Sequence, residues 1–303
     1  MPRGTYTPQD YLLGNCRIPP DVAVLPQKSY VYAGDISVAN NGAAILNLAL
    51  DADSHFLVEG IEILSSLETA AGDSATIQIT DTTYSQPWSN VAVPMRDLAG
   101  YGAITHELVC PNMMAPTGTI SLTINNTGGA TQQFYVALHG RKFYNVTDAQ
   151  RAFMMQRMFY QYIMSVPLLS AGTTGNQATL QLFNESDFIL QKMISWQMWT
   201  AIMAATIGAV SGEVKCNFRD TSSDRNFYST LAALRLVIGT YFAPPTNKTG
   251  YGPWSDSKGQ FRFIKPMFIR RNGLIEGTFS NLAATDIAAT LITFEGARVW
   301  SLS

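Results

Sequence analysis

Three histidines and one matched pair of aspartates are the side chains of this 303-residue chain that could form a metal site or an acid–base pair. His55, His106 and His139 stand in segments without helical character, so they do not supply the i, i+4 ligand pair of a helical metal site. A three-histidine site assembled in space by the fold stays open. His139 also aligns with Glu295 in a second copy of the same pattern, which favours ordinary histidines of a sheet or loop.

Asp81 and Asp220 occupy matching positions and could act as the paired carboxylates of glycoside hydrolysis. Aspartate before threonine or serine is also typical of a turn, in which the carboxylate accepts backbone N–H groups. The turn is favoured, because a duplicated chain also duplicates its turns. The sequence has no nucleophile elbow, phosphate-binding loop or dinucleotide fingerprint. We therefore expect no enzymatic activity, no catalytic residue, no metal and no cofactor.

Charged side chains are scarce in this protein. They make up 14% of the residues, against about 25% in an ordinary soluble domain. With 20 Lys and Arg against 22 Asp and Glu, there is no basic excess to neutralise phosphates, which argues against nucleic acid as a partner. Because charges keep a free monomer soluble, their shortage predicts a surface covered by neighbouring subunits. Cys16, Cys110 and Cys216 are too far apart for a redox or zinc motif and read as buried apolar side chains.

The chain repeats itself, and the repeat decides the expected fold. Landmark residues recur in the same order in both halves, with nearly the same spacing except for about 16 residues that the second half gains between its Asp and Pro landmarks. They are Asp81, Trp88, Pro111, Gly118 and Asn126 in the first half, and Asp220, Phe227, Pro266, Gly273 and Asn281 in the second. Between them lie short alternating runs rich in β-branched and aromatic residues, separated by Asn and Gly turns. The pattern predicts an all-β protein with two tandem antiparallel β-sandwich or jelly-roll domains from an internal duplication, joined by a short helix.

The repeat also sets the expected domain boundaries. Thr147 is placed to cap a helix between the copies, because helix-forming residues and an acidic first turn follow it. The predicted units are an extended proline-rich arm at 1–26, a first copy at 27–146, a linker helix at 147–159, and a second copy at 160–303 with an inserted loop near 240–260.

An uncharged stretch at 193–212 is long enough to cross a bilayer. The overlapping residues 188–203 align with 56–68 of the first copy, where Glu59, Glu62 and Glu68 interrupt a strand pattern. A membrane helix would have no charged counterpart, so we expect no membrane segment. The opening residues lack the apolar core of a signal peptide, so we expect synthesis without secretion.

Three segments carry candidate contacts with partners. The arm presents Tyr6 and Tyr11 among prolines, so we expect it either to be disordered or to lie extended on a neighbouring subunit. The helix has apolar side chains on more than one face, so Met154 and Met158 are expected to need a cover from outside the domain. Aromatic residues of the inserted loop could contact a partner, stack on a sugar ring or cover their own sheet edge. They are Tyr241, Tyr251 and Trp254.

The end of each copy resembles β-sandwich structural proteins of tailed bacteriophage particles. The resemblance lies in a proline, a hydrophobic run, a glycine, an alternating strand, an asparagine, and a closing strand with glycine before a bulky residue. These positions are Pro266, Gly273, Asn281, Gly296 and Trp300, and more loosely Pro111, Gly118, Asn126, Gly140 and Phe143. Such proteins decorate capsids, form minor capsid components, or build collars and tail adaptors.

The resemblance implies an architectural function. The protein would bind copies of itself as a homo-oligomer, bind other virion proteins, and reside in the virion after synthesis in the host cytoplasm. A carbohydrate- or receptor-binding β-sandwich that contacts a surface glycan is the alternative. A polysaccharide depolymerase is a third hypothesis, and it requires clustered carboxylates that the sequence does not show.

Overall fold

The computed structural model describes residues 18–66, 75–99, 105–194, 214–227, 232–233, 261–282 and 286–300. Within these residues almost all regular structure is strand, and three short helices complete it: α1 (Pro20–Ala23), α2 (Met95–Ala99) and α3 (Asp148–Met155). No helix in the described part of the chain is long and apolar enough to span a membrane. The residues from 195 to 212 of the uncharged stretch lie outside the described ranges.

The first domain has its strands in two antiparallel sheets. The strands are β1 (Gln27–Val38), β2 (Ala43–Ala49), β3 (His55–Ser65), β4 (Ala75–Asp81), β5 (Gln86–Pro87), β6 (Val93–Pro94), β7 (His106–Met114), β8 (Thr119–Asn126) and β9 (Gln132–Phe143). One sheet has the order β1-β9-β3-β7 and the other β2-β8-β4-β5, with β6 also paired to β4. This interleaved order, in which the first and last long strands are neighbours, is that of a jelly roll.

The second domain repeats this topology strand for strand. Its strands are β10 (Arg157–Val166), β11 (Asn176–Gln181), β12 (Asp187–Ile194), β13 (Val214–Asp220), β14 (Arg225–Asn226), β15 (Ala232–Ala233), β16 (Phe261–Ile269), β17 (Leu274–Asn281) and β18 (Thr290–Val299). The sheets have the orders β10-β18-β12-β16 and β11-β17-β13-β14, with β15 also paired to β13. The prediction of two tandem antiparallel jelly-roll domains is confirmed.

Strand registers match between the domains, which fixes residue equivalences. Tyr30 of β1 pairs with Gly140 of β9, and Tyr160 of β10 pairs with Gly296 of β18. Each position of domain 1 therefore has a defined counterpart in domain 2, and β1 corresponds to β10.

Both domains carry the same β-bulge, and it explains the repeated glycine of the closing strand. The register of β3 shifts opposite Gly140, and the register of β12 shifts opposite Gly296. A Cβ atom on Gly140 would lie 2.0 Å from the carbonyl oxygen of Leu57, and one on Gly296 would lie 2.0 Å from that of Ile189. Only glycine allows the two backbones this close an approach.

Alternating side chains of the strands form the sandwich cores. In β8, Ile120, Leu122 and Ile124 point inward and are fully buried, while the residues between them are partly exposed. Burying each of these side chains contributes about 1.5–3 kcal/mol. Period-two alternation therefore assigns one face of each strand to the core.

The two matched aspartates form turns, as the turn interpretation predicted. Asp81 accepts the backbone N–H of Thr83 at 2.9 Å, and Asp220 accepts that of Ser222 at 3.0 Å. Burial raises the pKa of Asp81, and its hydrogen bonds from Thr83 partly offset this effect. The two carboxylates serve the same turn in two separate domains.

Asp81→Ala is expected to lower the free energy of unfolding by about 0.5–1.5 kcal/mol, because the backbone N–H of Thr83 loses its hydrogen-bond acceptor. Asp81→Asn keeps an oxygen acceptor and should retain most of the stability. Urea unfolding of the two variants measures the difference. Equal losses in both would contradict the hydrogen-bond explanation.

Helix α3 begins as predicted and ends early. Thr147 accepts the N–H of Gln150 at 3.2 Å and forms a capping box with it. The helix stops at Met155, so the predicted helix at 147–159 is too long. Residues from Arg157 onward pair with β18, because the long antiparallel ladder of domain 2 outweighs local helix propensity.

The end of the predicted arm packs on its own domain. Val22 of α1 is fully buried in a cluster with Leu57, Phe143 and Met154, and Ile18 and Leu25 pack against this cluster. The prediction of an extended arm up to residue 26 is therefore wrong for 18–25, which have apolar side chains that domain 1 can bury. Residues 1–17, with Tyr6 and Tyr11, lie outside the described ranges.

Candidate functional site: the interface between the domains

The free edge of strand β10 is closed by domain 1. Among the described strands of domain 2, β10 pairs with β18 alone, and three of its outward N–H groups bind acceptors in domain 1. These bonds run from Phe159 to Oδ1 of Asn112 (2.7 Å), from Gln161 to the carbonyl oxygen of Trp88 (2.9 Å) and from Ile163 to Oδ1 of Asn90 (2.8 Å). A short parallel bridge between Ser89 and Gln161 completes the contact. An edge strand that would otherwise expose its backbone is thereby satisfied.

Apolar side chains of domain 2 also fill the open side of the domain 1 sandwich. Met158, Phe159 and Ile163 of β10 belong to the core cluster of domain 1. The ring of Phe159 lies 6.2 Å from that of Trp88, and Trp88 is only 2% exposed. Side chains of domain 2 therefore extend the core of domain 1 across the interface, while domain 2 keeps a separate core cluster of its own.

A cluster of charged groups lies buried beside this core. Oε2 of Glu295 in β18 is 2.6 Å from Nε2 of His106 in domain 1, and Oε1 is 3.2 Å from Nζ of Lys192 in β12. Gln161 donates a third contact to Glu295 at 3.0 Å. These four side chains are almost completely inaccessible to solvent. The carboxylate thus joins two strands of domain 2 to the edge strand β7 of domain 1.

The cluster keeps Glu295 ionised. Burial by itself would raise the pKa of Glu295, but the charges of His106 and Lys192 and the hydrogen bonds from His106 and Gln161 outweigh it and lower the pKa to about 2. A buried pair of this kind adds little over apolar packing, whereas loss of one partner leaves a buried charge and costs about 3–5 kcal/mol. The cluster therefore fixes how the domains fit together.

The histidines are not gathered in one place. His106 lies in the interface, and His139 is 3.0 Å from Glu62 on the outer face of the first sheet. His55 is the first residue of β3, and burial lowers its pKa. Among the described residues there is no group of three His, Cys, Asp or Glu side chains that could hold a metal ion. Cys110 and Cys216 are buried, and Cys16 lies outside the described ranges.

The structure corrects the prediction for the two helix methionines. Met154 is buried against α1 and the outer face of domain 1, and Met158 belongs to β10 and is buried in the domain interface. Both are covered by the chain itself, so they are not available to a neighbouring subunit. For Met158 the error arose because the helix pattern was extended into a strand, and for Met154 because α1 was expected to be part of the extended arm. Tyr241, Tyr251 and Trp254 lie outside the described residues.

Sequence alignment of the two copies pointed to one residue of the domain interface, Glu295, but did not reveal its contact with His106. It paired His139 with Glu295, which occupy equivalent positions of β9 and β18. It gave no sign that Glu295 contacts His106, because that contact joins different strands of different domains. Such a pairing depends on how the domains pack.

Comparison with known proteins found neither a matching family model nor a matching curated protein. Among solved structures, the major capsid protein P2 from bacteriophage PM2 is similar over 90% of this chain and 98% of that chain, with 8% identity and a TM-score of 0.43. PBCV-1 VP54 is similar over 91% of this chain and 95% of that chain, with 8% identity and a TM-score of 0.41. N-glycanase F is similar over 90% of this chain and 96% of that chain, with 8% identity and a TM-score of 0.38. Likeness at this level carries no inference about function.

Proposed function

We propose that this protein is a non-enzymatic structural subunit of a virus particle, which assembles with copies of itself and with other virion proteins. The observation that carries the proposal is the tandem jelly roll in which one domain closes the edge strand of the other. Jelly rolls occur in viral capsids and in lectin domains, so the step from fold to function is an analogy. The scarcity of charged side chains supports it, because it predicts a surface covered by neighbouring subunits.

The finer assignment comes from the sequence resemblance and stays a prediction. It places the protein in a tailed bacteriophage, as a capsid decoration protein, a minor capsid protein, a collar protein or a tail adaptor. The alternative of glycan binding depends on loop residues outside the described ranges, and the described residues offer no observation that favours it.

We expect the purified protein to form oligomers in solution and to be present in purified particles. Light scattering across a range of concentrations measures the mass, and negative-stain imaging with a label at the carboxyl terminus gives the position in the particle. A protein that stays monomeric and is absent from particles would contradict the proposal. Measurable turnover that Asp81→Asn or Asp220→Asn abolishes without unfolding the protein would contradict the non-enzymatic part.

A further inference from the structure

Residues 18–25 precede β1 and pack beside the linker helix α3, and we call this segment the strap. Val22 of the strap is fully buried, and Ile18 and Leu25 pack against the same apolar cluster. The other members of the cluster come from β3, β7, β9 and α3, and they are Leu57, Met113, Phe143 and Met154. The strap therefore joins α3 to the body of domain 1 through apolar contacts.

Hydrogen bonds tie the strap to its surroundings at both ends. Nε2 of Gln150 in α3 donates to Oδ2 of Asp21 at 2.9 Å. The same Gln150 forms the capping box of α3 with Thr147. Beyond the strap, the carbonyl oxygen of Pro26 accepts the N–H of Tyr144, which directly follows β9, at 3.0 Å. The strap is thus bonded to the first turn of α3 and lies next to a bond that holds the end of β9.

Helix α3 leads from the strap directly into the domain interface. It ends at Met155, and β10 begins at Arg157. The carbonyl oxygen of Gln156, the residue between them, accepts the N–H of Trp300 at 3.0 Å, and Trp300 directly follows β18. Because a helix moves as a rigid element, a shift of α3 also shifts the first residues of β10.

Strand β7 connects the strap to the same interface by a second route. Met113 belongs to the strap cluster, and Oδ1 of its neighbour Asn112 accepts the N–H of Phe159 in β10 at 2.7 Å. Adjacent residues of a strand point to opposite faces, so β7 presents one face to the strap and the other to β10. The strap and the edge of β10 therefore depend on the same two elements, α3 and β7.

We propose that the strap is a conformational lock for the domain interface. When docked, it holds α3 and β7 against β10, and when it detaches, the edge of β10 opens. A segment held by a few buried side chains detaches at a lower free energy than a whole domain unfolds. A ligand that binds the detached strap would shift the protein towards the open interface. This inference goes beyond the proposed function and does not depend on it.

Val22→Asp tests the lock in the full-length protein, because a carboxylate without a partner is unfavourable in the apolar cluster. Amide hydrogen exchange measured by mass spectrometry should become at least about ten-fold faster in α3 and β10, the factor that corresponds to one buried apolar side chain. Strands β8 and β17, which lie in the other sheet of each domain, should exchange as in the parent.

Val24→Asp is the matched control. It adds the same charge two residues later in the strap, at a side chain that is 81% exposed. Since this position contributes little to the apolar cluster, exchange in α3 and β10 should stay as in the parent. An equal acceleration in both variants would show that charge rather than release of the strap causes the effect, and would contradict the proposal.

A cross-link tests the opposite direction and does not require a destabilised protein. In a Cys16→Ser background, Asp21→Cys with Gln150→Cys can be joined by a short bis-maleimide, because the parent side chains are in hydrogen-bond contact. Cys110 and Cys216 are buried and should not react. The cross-linked protein should exchange more slowly in β10 than the same protein before cross-linking.

The pattern of exchange decides between the strap as a lock and simpler roles. Faster exchange in α3 with β10 unchanged would show that the strap holds the helix but not the interface. An equal acceleration in β8 and β10 would show that it stabilises all of domain 1. Either result, or a cross-link that leaves β10 unaffected, would overturn the proposal. The proposed function is tested separately, by oligomer mass and by presence in particles.

Discussion

Gly140→Ala and Gly296→Ala should each lower the free energy of unfolding by at least about 3 kcal/mol, the upper range for overpacked sites. The added methyl carbon would lie 2.0 Å from a backbone carbonyl oxygen of the neighbouring strand in each domain. Backbone atoms cannot move aside as a flexible side chain can, so the bulge and the ladders on both sides of it must shift. Urea unfolding gives the free energy for each variant.

Gly129→Ala is the matched control. A Cβ atom at Gly129 would have no neighbour within 4 Å, so this variant should unfold as the parent does. A loss below about 0.5 kcal/mol, the range of ordinary surface substitutions, in Gly140→Ala or Gly296→Ala would show that the bulge tolerates a side chain. The repeated glycine would then need another explanation.

Glu295→Ala should cost about 3–5 kcal/mol, because it leaves Lys192 buried without its carboxylate partner. The loss should appear first at the domain interface. Hydrogen exchange measured by mass spectrometry should become faster in β10, whose edge N–H groups bind domain 1. Protection equal to that of the parent would contradict the role of the cluster.

Glu62→Ala is the control for a charge pair on the surface. Glu62 also contacts a histidine, at 3.0 Å, but both partners are partly exposed to solvent. Pairs of this kind contribute about 0–1 kcal/mol. The comparison therefore separates the effect of burial from that of pairing.

The stability conferred by Glu295 should depend on pH in a defined window. Its pKa is lowered from 4.5 to about 2 in the folded protein. A lowered pKa in the folded state gives stability that is fully present above pH 4.5 and is lost as the pH falls towards 2. As the pH falls through this range, the free energy of unfolding of the parent should decrease more steeply than that of Glu295→Gln. Parallel curves for the two proteins would contradict the shift.

The sequence by itself determined the fold class and the duplication. Pro, Gly and Asn recur at fixed spacing because turns and bulges restrict backbone geometry, and that restriction acts within a few residues. Gly118 and Gly273 close matching turns, in which each N–H binds the carbonyl oxygen three residues earlier. Asp81 and Asp220 accept backbone N–H groups in a second pair of matching turns. Thr147 capped its helix as predicted, because a capping box is a local hydrogen-bond pattern.

Only the tertiary structure decided where helix α3 ends and what buries the residues that follow it. Local helix propensity continued through Met158, but pairing with β18 made that residue part of a strand. The contact of His106 with Glu295 also has no local signal, since it depends on how two complete domains pack. Sequence periodicity reports which face of a strand is apolar. Whether that face or edge is covered by the same domain, by the other domain or by another copy depends on long-range packing.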